Sequence, residues 1–226
     1  MNDYFTTVQR LRNIHRSLTE NQINFIRYDT ELEEGLDYLH KLHGQYYDNF
    51  FQTCSKKRKF RTCCVQHLKL LSEDLFFDES FHSCLVYFDF CWETIKKDIN
   101  EKNIELYTNV LVLIATKFHQ VRYLKLDDGW SDDEFIKKEH NILNHLQYRV
   151  NVITYVRVLE FINIHTQLPE NTFYMLLQQA KIMATNFETP KNIVTITIEF
   201  VIKYLENNHD TQESNVSQHS KRAKKD

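Results

Sequence analysis

The side chains in this sequence with the means to do chemistry are thiols, imidazoles and clustered carboxylates. Cys63-Cys64 precedes His67, and His82, Cys84 and Cys91 follow, which raises zinc. A structural zinc site needs short paired spacings that converge four ligands, and these spacings form no such set. Cys84 and Cys91 instead stand two helical turns apart, as two small core residues would. Nucleophilic catalysis needs a thiol or hydroxyl beside an activating base, on a glycine-bearing strand–turn–helix elbow, and no such setting surrounds these residues. With only 3 Gly in the chain, a phosphate-cradling glycine loop is excluded. Asp127-Asp128 and Asp132-Asp133-Glu134 raise calcium, but the ligand spacing of a calcium loop is absent. Acids just before an apolar stripe read instead as a helix start. The expectation is a non-catalytic chain with no metal and no cofactor.

The stretch LVLIATKFHQ (111–120) is of another kind. Its apolar residues run to Ala115-Thr116, then Lys117 appears beside Phe118. A helix that is apolar almost all round is enclosed by other helices. Lys117 at its end is either a cation favoured by the helix dipole or an anchor at a partner surface, where charge and aromatic occur together.

The elements around it are helical. The chain has 226 residues, enough for one large domain or two small ones, and only 3 Gly and 2 Pro, which favours long helices and short connections. A formal net charge of -3 does not favour a general nucleic-acid or membrane binder. No apolar run is long enough to span a bilayer, and residues 1–18 lack the compact apolar core of a signal peptide. The 5 Cys, an odd number set in apolar patterns, read as reduced thiols of an intracellular protein.

Phe5, Val8, Leu11 and Leu18 predict an amphipathic helix over 1–20, and Leu32, Leu36, Leu39, Leu42 and Tyr46 another over about 30–52. SKKRK (55–59) reads as a polar break and a boundary. Four helices then follow: about 60–75, one after Asp78 carrying Phe81, Leu85, Phe88 and Trp92, about 102–119, and one after Ser131 with the stripe Phe135, Ile136, Glu139, Ile142, Leu143 and Leu146. Two or three more occupy 151–206, with starts near Pro169-Glu170 and at Thr189-Pro190, read as cap and first helical proline. Residues 195–199 alternate and are β-branched, so strand competes with helix there. From 207 the chain is polar and reads as a disordered tail, ending in KRAKKD, a candidate nuclear-import signal.

The order of polar residues in the middle region resembles a cyclin box. Cyclins carry an arginine early in their first helix, and KFRTCCVQHL places Arg61 there. Their second helix has a motif like NETLHLAVNYID, and DESFHSCLVYFD places Asp89 on the family aspartate. The third helix opens on an apolar residue, here Ile104, and ends like LLASKFEE; LIATKFHQ puts Lys117 on the family lysine. A later motif like MEHLVLKVLTFDL matches KEHNILNHLQYRV, with Glu139 on the glutamate. The likeness covers about 56–150, and more loosely the helices to 206.

The resemblance implies an all-α cyclin fold: a helical extension (1–55), a cyclin box (56–150), a truncated second cyclin-like repeat (151–206) and the tail (207–226). It implies that Arg61 and Asp89 form a structural ion pair. It also implies that Lys117 and Glu139, with apolar neighbours Ile114, Phe118, Leu143, Tyr148 and Val150, face the αC helix of a cyclin-dependent kinase. The chain would then be a regulatory subunit, without catalysis of its own, that binds and activates such a kinase in the nucleus and in part the cytoplasm. The N-terminal helices are a further protein-binding candidate, and direct contact with nucleic acid or membrane is not expected. Where cell-cycle cyclins dock substrate peptides, this chain has Phe60, Cys64 and His67 facing Glu105, and the usual tryptophan is missing. That divergence points to a specialised setting, meiotic or transcriptional. The alternative is a cyclin-fold scaffold that binds other proteins without activating a kinase.

Overall fold

A computed structural model describes residues 2–18, 25–50, 54–75, 78–119 and 132–206. They form α1 (Asn2–Leu18), α2 (Phe25–Phe50), α3 (Ser55–Leu75), α4 (Asp78–Ile95), α5 (Ile104–His119), α6 (Asp132–His145), α7 (Tyr155–Thr166), α8 (Glu170–Asn186) and α9 (193–206). Among the described residues there is no strand, so the described chain is all-α. Ser131, the acids at 127–128, the connection preceding them and the tail from 207 lie outside the described residues, as does the side chain of Leu18.

The centre is a pair of enclosed helices. Every residue of α4 from Ser80 to Trp92 is buried, and α5 is buried from Leu106 to Val112. These two pack along their lengths, with α3 and α6 against both. Such enclosure follows from composition, since a helix apolar all round has no face to give to water. Each fully buried Phe88- or Leu85-sized side chain contributes about 1.5–3 kcal/mol. The cysteines conform: Cys64, Cys84 and Cys91 are fully buried, all five are free thiols, and burial pushes the Cys64 thiol up to about 12.

Beyond this core, α7 packs on α2, α4 and α8. Thr154 caps α7, its side chain accepting from the Arg157 amide, and donates its own hydroxyl to Glu79 Oε2 at 2.6 Å. The start of α4 is thereby tied to the start of α7. The contested segment is helical. In α9 the buried Ile193, Val194, Ile198, Val201 and Ile202 fall on one helical face, and Thr197 turns its hydroxyl back to the Ile193 carbonyl at 2.7 Å. Burial here outweighs the β-branched preference for a strand.

Four local expectations need correction. The stripe of α1 is Tyr4, Thr7, Val8 and Leu11, and Phe5 is exposed. SKKRK is no break but the opening of α3, where the buried Asp89 and the half-buried Glu188 receive Lys57. Ile136, placed in the apolar stripe of α6, is 60% exposed. Thr189 does not cap α9, which starts only at 193; its hydroxyl is drawn to Asp89 instead.

Candidate functional site

Two charged constellations lie at opposite extremes of burial. Asp89, at the middle of α4, is wholly enclosed. Arg61 Nε reaches its Oδ1 at 3.1 Å and its Oδ2 at 3.3 Å. The guanidinium also donates to the carbonyls of Ala184 at 2.7 Å and Thr185 at 3.2 Å, near the C-terminal end of α8. Asp89 Oδ2 further accepts from the amide and the hydroxyl of Thr189, both at 2.8 Å. Lys57, fully buried, stands 3.5 Å from Asp89 and 3.7 Å from Glu188. Burial lowers the pKa of Lys57, and the two carboxylates oppose that shift. A buried charge is tolerable only when its lone pairs and protons are answered, and here Asp89 is answered by three residues, Arg61 and Lys57 of α3 and Thr189 of the α8–α9 turn. The constellation fastens α3 and α4 to the turn between α8 and α9. Asp89 itself is wholly enclosed, and only the Arg61 side of the constellation borders a groove.

The second constellation is open. Lys117, in the last turn of α5, meets Glu139 of α6 at 2.7 Å, with side chains 46% and 17% exposed. Phe118 is 46% exposed and Tyr148 59%. Ile136 lies one turn before Glu139 on the same face of α6 and Leu143 one turn after it, half-buried. Tyr148 and Gln147 both have positive φ, 58° and 53°. This left-handed pair is uncommon for residues other than glycine, and it is held by the Tyr148 amide bonding the Leu143 carbonyl at 2.9 Å. Val150 is half-buried and its carbonyl accepts from Tyr87 Oη at 2.5 Å. Ile114 is 3% exposed and belongs to the core, so it backs the edge rather than forming it.

The structure thus brings Arg61 to Asp89 and Lys117 to Glu139. Lys57, Thr189 and Ile136 were not legible as members. Lys57 had a signal: the buried row Leu68, Cys64 and Arg61, continued back along α3, reaches it one turn earlier. The substrate-docking positions of the resemblance are largely occupied internally. Phe60 packs near Trp92, Cys64 is buried, and His67 Nε2 pairs with Asn109 Oδ1 at 2.8 Å. Two further buried imidazoles differ in their partners. His43 Nε2 donates to the Pro190 carbonyl at 2.7 Å, and His82 is buried with neither ring nitrogen hydrogen-bonded. Among the described residues no three His, Cys, Asp or Glu side chains are grouped to hold a metal ion, and no helix is long and apolar enough to cross a membrane.

Compared with known proteins, the chain matches no family model, and no curated protein is significantly similar to it.

Proposed function

We propose that this chain is a regulatory cyclin that binds a cyclin-dependent kinase through the edge formed by α5 and α6. The observation that carries the reading is the Lys117–Glu139 pair, 2.7 Å apart on an open edge beside exposed Phe118, Ile136 and Tyr148. An exposed ion pair contributes little to folding, about 0–1 kcal/mol, so its setting among bare aromatic and aliphatic side chains makes better sense as a partner surface. Both groups keep donors or acceptors free for the main chain of a partner. In the mechanism that the resemblance implies, docking presses the kinase αC helix inward and completes the kinase's own Lys–Glu pair. The buried Arg61–Asp89 constellation fixes α3 and α4, the helices against which α5 and α6 pack. KRAKKD at the tail supports a nuclear setting, and the departures at Phe60, Cys64 and His67 favour a specialised role over the mitotic one.

The test is affinity capture of the intact protein from its own cell extract, beside a Lys117→Ala/Glu139→Ala double variant, with mass spectrometry and circular dichroism. The expected result is a cyclin-dependent kinase with the wild type and none with the folded double variant. Absence of any kinase, or its full retention by the variant, overturns the reading and leaves a cyclin-fold scaffold in its place.

A further inference from the structure

A groove of about 750 Å³ opens between the first turns of α3 and the corner where α8 leads into α9. That volume lies within the range of about 300–1,000 Å³ typical of ligand clefts. Its wall is mainly apolar, from Met183, Tyr155, Pro190 and Ile196, with Phe187 at the rim, 63% exposed.

The charges around the groove do not cancel. Lys57, Arg58 and Arg61 face Asp89 and Glu188, which leaves one positive charge over. Burial decides where it sits. Lys57 and Arg61 are enclosed and held by Asp89, by Glu188 and by the carbonyls of Ala184 and Thr185. Arg61 occupies one lone pair on each of those carbonyls and so lessens the negative potential at the end of α8. The side chain of Arg58 is 76% exposed, and among the described residues its one ionic contact is Nε to Glu188 at 3.4 Å. Glu188 is shared with Lys57 on its other oxygen. The two terminal nitrogens of Arg58 have no partner among the described residues, so a planar fork of donors faces the groove mouth.

We propose that this groove binds a short acidic peptide of a partner protein, with one large apolar side chain against Met183 and Tyr155 and a neighbouring carboxylate held bidentately by Arg58. An apolar slot fixes the anchor and the fork selects the charge beside it, the usual division of labour in peptide recognition. The site is distinct from the edge at Lys117 and Glu139 and does not rest on the kinase reading.

The test uses the purified full chain alone. Fluorescein-labelled short peptides carry a central leucine or phenylalanine flanked by aspartate, and a matched set replaces aspartate with asparagine. Binding is followed by fluorescence polarisation at low and high salt, for wild type, Arg58→Gln and Phe187→Ser. The aspartate peptides are expected to bind, the asparagine set and Arg58→Gln to weaken binding about tenfold, the effect of losing one charge-assisted fork. Phe187→Ser is expected to weaken both sets alike, and salt to weaken only the aspartate set. Because Arg58 and Phe187 are exposed, both variants should fold, which circular dichroism checks. Equal binding of the two sets, indifference to Arg58→Gln, no binding by any peptide, or a dimer of the free chain that Phe187→Ser dissolves would each overturn the proposal.

Discussion

Asp89 accepts from Arg61 and Thr189 and lies against Lys57 inside the core, so removing its charge strands two buried cations. Asp89→Ala is expected to cost about 3–5 kcal/mol in urea unfolding, the range for breaking a buried pair. Arg61→Lys should cost nearly as much, because one ammonium cannot reach Asp89 and both α8 carbonyls in a fixed fork. Lys117→Ala should cost less than about 1 kcal/mol by the same measurement, which separates a partner anchor from a structural pair. Two buried imidazoles, His43 and His82, and the half-buried His119 and Glu79 contribute to the pH dependence. Burial lowers the pKa of His43 and of His119 to about 4 and that of His82 to about 3, all below the ordinary 6.5. Their contribution to stability is therefore intact above 6.5 and is lost as pH falls towards those values. Glu79 runs the other way. Burial raises it from 4.5 to about 7, so the folded state holds its proton below that pH and loses stability as pH rises through 7. Glu79→Gln should match wild type near pH 4.5, surpass it increasingly as pH rises from there to 7, and keep a constant advantage above 7, read as unfolding free energy against pH. A variant less stable than wild type at pH 8 would mean that the ionised carboxylate is held by Arg157 instead.

At the scale of elements, the least anticipated feature is how α2 is seated. Its stripe of Leu32, Leu36, Leu39 and Tyr46 predicted an amphipathic helix but not what it lies against. A Cβ built on Gly35 would stand 2.0 Å from Phe161 Cζ, so α2 and α7 approach at a point only glycine permits. In an isolated helix Gly→Ala gains up to about 1 kcal/mol. Gly35→Ala here should instead destabilise, by about 1–3 kcal/mol, since the ring must leave its place; a higher melting temperature would show that Phe161 swings aside freely. The contrast explains what was legible. Periodicity located α2, α5 and α6, because each buries a row of apolar side chains set by its own sequence. The pairing of Lys117 with Glu139 was legible through the ordered polar residues of the cyclin-like pattern. Contacts made across the fold were not. Nothing near Lys57 announces Glu188, nothing near Gly35 announces Phe161, and Thr189 looked like a cap because Asp89 is distant in sequence. Charge also misled: SKKRK reads as solvated until a buried carboxylate is known to receive its middle lysine. Ile136 failed in the opposite sense, fitting a core stripe while facing outward on the proposed partner edge.

The whole molecule is closed by contacts that run between its two ends. The set α3–α6 is not separate from α7–α9, because its central carboxylate is satisfied in part by Thr189, and Arg61 by the Ala184 and Thr185 carbonyls. The N-terminal helices bridge the same seam. His43 of α2 donates to the Pro190 carbonyl, Lys191 pairs with Asp48 at 2.6 Å, and Arg10 of α1 grips Glu206 of α9 with a fork. The surface pairs are weak individually. The buried ones are not, because each half left alone is an unanswered charge in the core. It follows that residues 56–150 cannot be cut out as a stable unit: the cut removes three hydrogen-bonding partners of the Arg61–Asp89 constellation and bares the side of α4 that α7 and α8 cover. Expressed alone, 56–150 should be helical by circular dichroism but exchange its α4 amides rapidly and bind a hydrophobic dye, whereas residues 1–206 should unfold in a single urea transition seen alike by tryptophan fluorescence and circular dichroism. Slow exchange at α4 in the isolated piece, or two transitions in the longer chain, would mean that the buried constellation decorates a self-sufficient box instead of joining the halves. Single cooperativity would also bear on how the α5–α6 edge is held. Its backing helices would then depend on the N-terminal extension, and Gly35→Ala would weaken partner capture without touching the edge itself.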